Sequence, residues 1–138
     1  SRERFNTEDG DNEIYFACTN GGPQKLGQVF RYTMNGSNGT LELFAESTDK
    51  SLLHMCDNLT ISPEGSVFLC EDNGELNRIH FIDAKGAIHL FGINRSSKSE
   101  LAGLAFSPSG KTLFVNIQEN GETLAITGPW EQLTKQQG

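Results

Sequence analysis

A short turn motif that occurs twice is the strongest constraint on the fold of this chain. Ser62-Pro63-Glu64-Gly65 follows one apolar segment, and Ser107-Pro108-Ser109-Gly110 follows another, 45 residues further along. The apolar segments before the two turns, Leu59-Thr-Ile and Leu104-Ala-Phe, also resemble each other. A repeat of about 40–50 residues with several strands in each unit is typical of the blades of a β-propeller.

The middle repeat unit has the pattern of a complete blade. Short apolar segments separated by turn residues predict strands rather than helices. The first three strands are predicted at Leu59–Ser62, Val67–Glu71 and Arg78–Ile82, and the fourth at Ala87–Phe91. Asp83-Ala-Lys-Gly86 is a typical hairpin turn between the last two strands. We therefore expect one four-stranded antiparallel sheet in this unit.

The two flanking units each contain only part of this pattern. In the first unit no innermost strand is evident, and in the third unit the outermost strand is missing. The strands predicted in these units are Ile14–Cys18, Gln28–Met34, Leu41–Ala45, Leu104–Phe106, Thr112–Asn116 and Thr123–Thr127.

The predicted fold class is therefore all-β, a partial β-propeller of about three four-stranded blades in an incomplete ring. The blades span approximately residues 1–50, 51–97 and 98–130, and residues 131–138 form a polar C-terminal tail expected to be disordered. Propellers close with about four to eight blades. The missing blades are expected from a longer parent chain, from a second copy or from another protein.

Charge and composition exclude several classes of partner. The 138 residues include 11 Lys and Arg against 18 Asp and Glu, a net charge of −7, which argues against binding nucleic acid. No apolar run approaches the roughly 20 residues of a membrane-spanning helix. The three cysteines lack the C-x-x-C spacing of a zinc site and are interpreted as buried thiols. The N-terminus shows no export signal, so the sequence leaves the compartment open.

Several motifs, in order, resemble the C-terminal part of the PhoX-type alkaline phosphatases. They are Phe16–Gly22, Gly27–Tyr32, Gly39–Leu43, Asp57–Pro63, Leu69–Asp72, Glu100–Gly103, Phe106–Gln118 and Ala125–Trp130. The resemblance implies a β-propeller with calcium and iron near its axis. It also implies hydrolysis of a phosphate ester substrate by an exported bacterial protein, either periplasmic or secreted.

Carboxylates that precede inner strands are the candidate metal ligands, because Ca²⁺ takes six to eight oxygen ligands and inner strands converge on the axis. Asp57 precedes one predicted inner strand and Glu100 precedes the next. The alternatives are an Asx turn for Asp57 and a solvated loop carboxylate for Glu100. Glu8 resembles a metal-binding Glu of the family. The family has an Arg two residues earlier that helps to hold phosphate, and here that position is Asn6, a neutral amide.

Two functions remain open at this stage. The first is phosphate monoester hydrolysis in a complete ring, with little turnover by the isolated chain. The alternative, which Asn6 favours, is a non-catalytic propeller module that binds a partner or calcium. Completion of a ring by oligomerisation is part of this alternative. His80 and His89 are expected to be ordinary packed or surface residues, whereas His54 could lie near the site. Glu71–Glu75 is interpreted as an acidic turn.

Overall fold

The structure, a computed structural model, describes residues 2–6 and 12–135. Over these residues the chain is all-β apart from one short helix, which confirms the predicted fold class. The elements are β1 (Arg2–Asn6), β2 (Asn12–Cys18), β3 (Gln28–Asn35), β4 (Asn38–Glu46), β5 (Cys56–Ile61), β6 (Val67–Glu71), β7 (Arg78–Ile82), β8 (Ile88–Ile93), β9 (Leu101–Phe106), β10 (Thr112–Ile117), β11 (Glu122–Thr127) and α1 (Trp130–Lys135).

The described strands form three antiparallel sheets in which each strand pairs with the next one along the chain. The first sheet has the order β1-β2-β3-β4, the second β5-β6-β7-β8 and the third β9-β10-β11. The first strand of the second sheet contacts the first strands of both neighbouring sheets. This arrangement is compatible with three blades of a partial propeller whose inner strands lie side by side.

The repeated turns adopt the same conformation. Gly65 donates to the carbonyl oxygen of Ser62 at 2.9 Å, and Gly110 donates to that of Ser107 at 2.8 Å. Each glycine has a positive φ, +88° at Gly65 and +70° at Gly110, a conformation that other residues rarely adopt. Each serine hydroxyl also accepts a backbone N–H that follows the turn. The sequence repeat is therefore a structural repeat.

The first sheet contains an innermost strand that the sequence pattern did not reveal. Residues Arg2–Asn6 form β1, which pairs with β2 along its whole length. The segment Arg-Glu-Arg-Phe-Asn holds a single apolar residue, so it lacks the alternation that predicts a strand. Pairing with a neighbouring strand has overridden a weak local preference.

The third sheet has three strands in the part of the chain that the structure describes, in line with the missing outermost strand. Helix α1, at Trp130–Lys135, occupies the beginning of the segment for which a disordered tail was predicted. Residues 136–138 lie outside the described residues. None of the described helical residues forms a segment long and apolar enough to cross a membrane.

The hydrophobic core lies in two layers, one on each side of the second sheet. Strand β6 shows why, since all five of its residues are buried. Successive side chains of a strand point to opposite faces. Val67 and Leu69 accordingly belong to the layer shared with the first sheet, and Phe68 and Cys70 to the layer shared with the third sheet.

Candidate functional site

Carboxyl groups from the second and third sheets meet near the starts of the inner strands. Glu100 precedes β9, and its carboxyl group lies near that of Asp72, which follows β6. Asp57, the second residue of β5, and Glu119, which follows β10, lie close enough to Glu100 to interact electrostatically with it. We call Asp57, Asp72, Glu100 and Glu119 the acidic cluster. The negative charge of Asp57 therefore acts on Glu100.

The charges of the acidic cluster repel one another. Partial burial of Glu100 and the negative charges of Asp72, Asp57 and Glu119 raise the pKa of Glu100 above its ordinary value. A carboxylate is destabilised in this environment unless a proton or a cation neutralises it. Closely spaced carboxylate oxygens are also the ligands that hard cations such as Ca²⁺ prefer.

Hydrogen bonds to backbone groups hold the two inner strands beside the acidic cluster. The Asn58 side-chain oxygen accepts the Leu104 N–H at 2.8 Å and so ties β5 to β9. A β-bulge interrupts the pairing of β5 with β6 between Cys56 and Leu59, which is where Asp57 lies. Bulges re-aim side chains next to functional sites. Beside β9, Gln118 donates to the carbonyl oxygen of Glu100 at 3.1 Å.

The acidic cluster does not form a complete cation site by itself. Among residues 2–6 and 12–135, no group of three or more His, Cys, Asp and Glu side chains is arranged to hold a metal ion. The donor chemistry is nevertheless that of a hard cation, because the members are carboxylates. The buried thiols of Cys56 and Cys70 do not add to it, since burial raises the pKa of each to about 12 and keeps it protonated.

The third predicted ligand is not placed by the structure. Glu8 stands in the chain between β1 and β2 and lies outside the described residues. Asn6, two residues before Glu8, is the last residue of β1.

A buried carboxylate that sequence analysis missed lies next to the acidic cluster. Glu71 is fully buried and was interpreted as part of an acidic turn, yet it is the last residue of β6. Its carboxylate accepts hydrogen bonds from Arg78 Nε at 2.8 Å and from the backbone N–H groups of His54 and Arg78 at 2.7 and 3.0 Å. A charged residue closing the apolar run Val67–Cys70 is the sequence signal that could have revealed it.

Glu71 is held in its ionised form. Burial raises the pKa of its carboxyl group, but hydrogen bonds from His80 and Arg78 and from the His54 N–H outweigh that effect, so the pKa lies below its ordinary value. Because Glu71 immediately precedes Asp72, this network fixes the backbone from which one member of the acidic cluster projects.

The three histidines take part in hydrogen bonds within the second sheet and its loops. His80 is buried, with Nε2 3.1 Å from Glu71 and Nδ1 lacking a hydrogen-bond partner in the part of the chain described. His89 lies 2.9 Å from Asp83 and stacks on Phe81. His54 contributes its backbone N–H to Glu71. None of the three imidazoles forms part of a metal-holding group within the described residues.

Comparison with known families finds one match. Residues 3–121 match the family model described as Alkaline phosphatase PhoX, a span that covers most of the chain and includes the acidic cluster. Searches among curated proteins and among solved structures each found no match.

Proposed function

The chain belongs to the PhoX alkaline phosphatase family. We propose that it supplies some of the ligands of a metal site at which phosphate monoesters are hydrolysed. The observation that carries the proposal is the environment of Glu100. Partial burial and three neighbouring carboxylates raise the pKa of this residue, and a bound cation would relieve the repulsion among the carboxylates. Repulsion among these carboxylates lowers the stability of the fold. Groups with shifted pKa values of this kind are typical of functional sites.

The metals are proposed to be calcium and iron, in keeping with a family of metal-dependent phosphatases. Asp57 and Glu100 would hold calcium through their oxygens, and Glu8 is proposed as a further ligand. Cations held by these residues would bind the phosphate oxygens and so make the phosphorus atom more electrophilic toward water. Within the chain, the link from Asn58 to Leu104 orients the inner strands, and the Glu71 network holds the segment that bears Asp72.

The remaining ligands are proposed to come from further propeller blades. The described residues contain no complete metal-holding group, so the isolated chain is expected to show little turnover. In keeping with the family, we propose an exported protein, either periplasmic or secreted.

A second function is supported by one residue. Asn6 occupies the position at which the family segment bears a phosphate-binding arginine, and an amide lacks the charge and the bidentate geometry of a guanidinium. This favours a non-catalytic module that binds calcium or a partner. The acidic cluster is common to both functions, whereas phosphatase activity distinguishes them.

Calcium titration by calorimetry tests the shared part of the proposal. We expect Ca²⁺ to bind the wild-type chain, and we expect Glu100→Gln and Asp57→Asn to raise Kd by about 10-fold or more. Glu64→Gln is the matched control, because Glu64 lies in an exposed turn outside the acidic cluster. Equal Kd values for Glu100→Gln and Glu64→Gln would overturn the assignment.

Hydrolysis of p-nitrophenyl phosphate in the presence of Ca²⁺ and iron separates the two functions. Activity of the wild-type chain that disappears in Glu100→Gln supports the phosphatase and rejects the non-catalytic module. Activity of Asn6→Arg alone identifies the missing arginine as the defect. If neither protein hydrolyses the ester while both bind Ca²⁺, the isolated chain acts only as a calcium-binding module, and the assay is repeated with the further blades present.

A further inference from the structure

A small polar pocket lies beside the acidic cluster. It is formed by two loops, one that joins β4 to β5 and leads to Asp57, and one that joins β6 to β7 and begins with Asp72. The pocket has a volume of about 210 Å³. We call it the side pocket, and its walls include Lys50, Ser51, His54, Asn73, Glu75 and Leu76. Because each loop adjoins a member of the acidic cluster, a molecule bound at that cluster can extend into the side pocket.

Hydrogen bonds fix both walls of the side pocket. Arg78 also lines it, and its guanidinium donates to two backbone oxygens of the first loop at 2.6 and 2.7 Å. In the second loop, Asn73 Oδ1 accepts the Glu75 N–H at 2.9 Å. Asn73 Nδ2 joins the two loops, since it donates to the His54 carbonyl oxygen at 3.2 Å. Walls that are already ordered lower the entropic cost of binding a ligand.

Three polar side chains of the side pocket are available to a ligand. The Lys50 ammonium and the Glu75 carboxylate are exposed, and the His54 imidazole is half-buried. His54 and Glu75 make the hydrogen bonds above through backbone groups, and none of the three side chains is engaged by another group within residues 2–6 and 12–135. An ammonium, an imidazole and a carboxylate together supply both donors and acceptors.

The charges of the side pocket balance one another. Lys50 is positive and Glu75 is negative, while Arg78 is paired with the buried carboxylate of Glu71. The acidic cluster adds negative charge next to the pocket, because Asp72 adjoins its second wall. A ligand group with a negative charge of its own would be repelled by the acidic cluster, so the side pocket favours a neutral group.

Hydroxyl groups match this lining. A hydroxyl donates one hydrogen bond and accepts two, so it can bond to an ammonium, an imidazole and a carboxylate alike. Leu76, which is 46% exposed, adds an apolar contact for a carbon skeleton. The volume of the side pocket lies below the range of about 300–1,000 Å³ that is typical of sites for drug-sized ligands. The side pocket therefore suits a group the size of one sugar ring.

We propose that the side pocket binds the alcohol part of a phosphate monoester, and that this alcohol is a neutral, hydroxyl-rich group such as one sugar ring. The inference rests on the proposed function, because the phosphate would be held by cations at the acidic cluster. Lys50, His54 and Glu75 would then determine which esters bind, and they take no part in breaking the ester bond.

NMR titrations of the chain in the presence of Ca²⁺ test the side pocket with three probes. D-Glucose tests the pocket alone, methyl phosphate tests the phosphate site alone, and D-glucose 6-phosphate tests both together. We expect D-glucose and D-glucose 6-phosphate to shift the backbone amide signals of residues 50–54 and 73–76. We expect the Kd of D-glucose 6-phosphate to be at least about 10-fold lower than that of methyl phosphate, because one molecule then engages both sites.

Matched variants separate the side pocket from general effects of charge. Glu75→Ala and Lys50→Ala should each raise the Kd of D-glucose 6-phosphate by about 5-fold or more and leave that of methyl phosphate unchanged. Glu64→Ala and Lys85→Ala remove the same charges from exposed turns outside the pocket and serve as controls. All four side chains are exposed, so the variants are expected to fold, which urea midpoints verify.

The outcomes distinguish this inference from the proposed function. If methyl phosphate fails to bind while D-glucose still shifts the pocket signals, the phosphate site is wrong and the sugar pocket stands. The inference is overturned if D-glucose leaves those signals unchanged and D-glucose 6-phosphate binds no more tightly than methyl phosphate, or if Glu75→Ala and Glu64→Ala behave alike. Tighter binding of phosphoglycolate, whose alcohol part carries a carboxylate, than of D-glucose 6-phosphate would also overturn it.

Discussion

Glu71 and Arg78 form a bidentate ion pair inside the second sheet, with Arg78 Nε 2.8 Å from Oε2 and Nη2 2.7 Å from Oε1 of the carboxylate. The Glu71 side chain is fully buried and that of Arg78 is 12% exposed. The guanidinium also donates to the backbone oxygens of Lys50 and Ser51. The pair therefore fastens the loop that leads into β5 and Asp57.

Replacing Glu71 by Gln should strongly destabilise the protein. The change leaves the Arg78 charge without its counter-ion in a largely buried position, and breaking a buried ion pair costs about 3–5 kcal/mol. We expect the free energy of unfolding, measured by urea denaturation, to fall by about 3 kcal/mol. For Glu64→Gln, which lies in an exposed turn, the free energy of unfolding should fall by less than about 0.5 kcal/mol. Similar losses in the two variants would show that the ion pair contributes little.

The same carboxylate predicts how stability depends on pH. The pKa of Glu71 is lowered in the folded state, so its contribution to stability is present above the unfolded value of about 4.3 and is lost as pH falls through the folded value. We therefore expect the stability difference between wild type and Glu71→Gln to be largest near neutral pH and to shrink below about pH 4. Urea denaturation at several pH values measures it. A difference that stays constant down to pH 3 would contradict the low pKa.

Much of the fold could be predicted from the sequence because turn residues and apolar alternation report local structure. The bounds of β6 and β7 are those predicted, and the Ser-Pro-x-Gly repeat marks equivalent turns. Strand β1 could not be predicted, since its polar residues become a strand only by pairing with β2. The start of β5 at Cys56 was missed because a bulge interrupts the strand there.

The candidate site was predictable only in part. Asp57 and Glu100 were selected because each precedes a predicted inner strand, and in the structure the charge of Asp57 contributes to the raised pKa of Glu100. Asp72 and Glu119 were not selected, because each follows the second strand of its sheet, β6 or β10. Antiparallel pairing brings the end of that second strand next to the start of the inner strand. Glu71 was assigned to a turn because the burial of its carboxylate depends on Arg78, seven residues away on the next strand.

The link between the second and third sheets should be sensitive to Asn58. Its side-chain oxygen accepts the Leu104 N–H, and Asn58→Ala leaves that donor without its partner. An unsatisfied buried donor costs about 1–3 kcal/mol, so we expect a loss near 2 kcal/mol in urea denaturation. Asn120→Ala removes an amide from an exposed turn and serves as the control. Equal losses in the two variants would show that the hydrogen bond does not stabilise the junction.

Glu100→Gln should raise stability in the absence of calcium. The substitution removes a charge that Asp72, Asp57 and Glu119 repel. Interactions of this kind between partly exposed charges are worth about 0.5 kcal/mol, so we expect a small increase in the free energy of unfolding at neutral pH. Added Ca²⁺ should stabilise the wild-type chain more than the variant, because a ligand that binds the folded state shifts the equilibrium toward it. A variant less stable than the wild type without calcium would contradict the repulsion.

Trp130 should hold helix α1 against the rest of the protein. The indole lies among Phe68, Phe91 and Phe106, with centroid distances of 6.0, 5.6 and 5.2 Å, and Nε1 donates to the Lys111 carbonyl oxygen at 2.8 Å. These contacts join the second and third sheets. Trp130→Ala removes the ring and the hydrogen bond, and comparable deletions of buried aromatics cost about 3–5 kcal/mol.

Trp130→Phe separates the two contributions, because it keeps an aromatic ring and loses only the donor. We expect a loss of about 1 kcal/mol for this variant and about 3 kcal/mol for Trp130→Ala in urea denaturation. Release of the helix is measured independently by the rate of trypsin cleavage after Lys135, followed by mass spectrometry. That rate should rise markedly in Trp130→Ala and little in Trp130→Phe. If the two variants lose equal stability and are cleaved at equal rates, the hydrogen bond to Lys111 and not the aromatic packing anchors the helix.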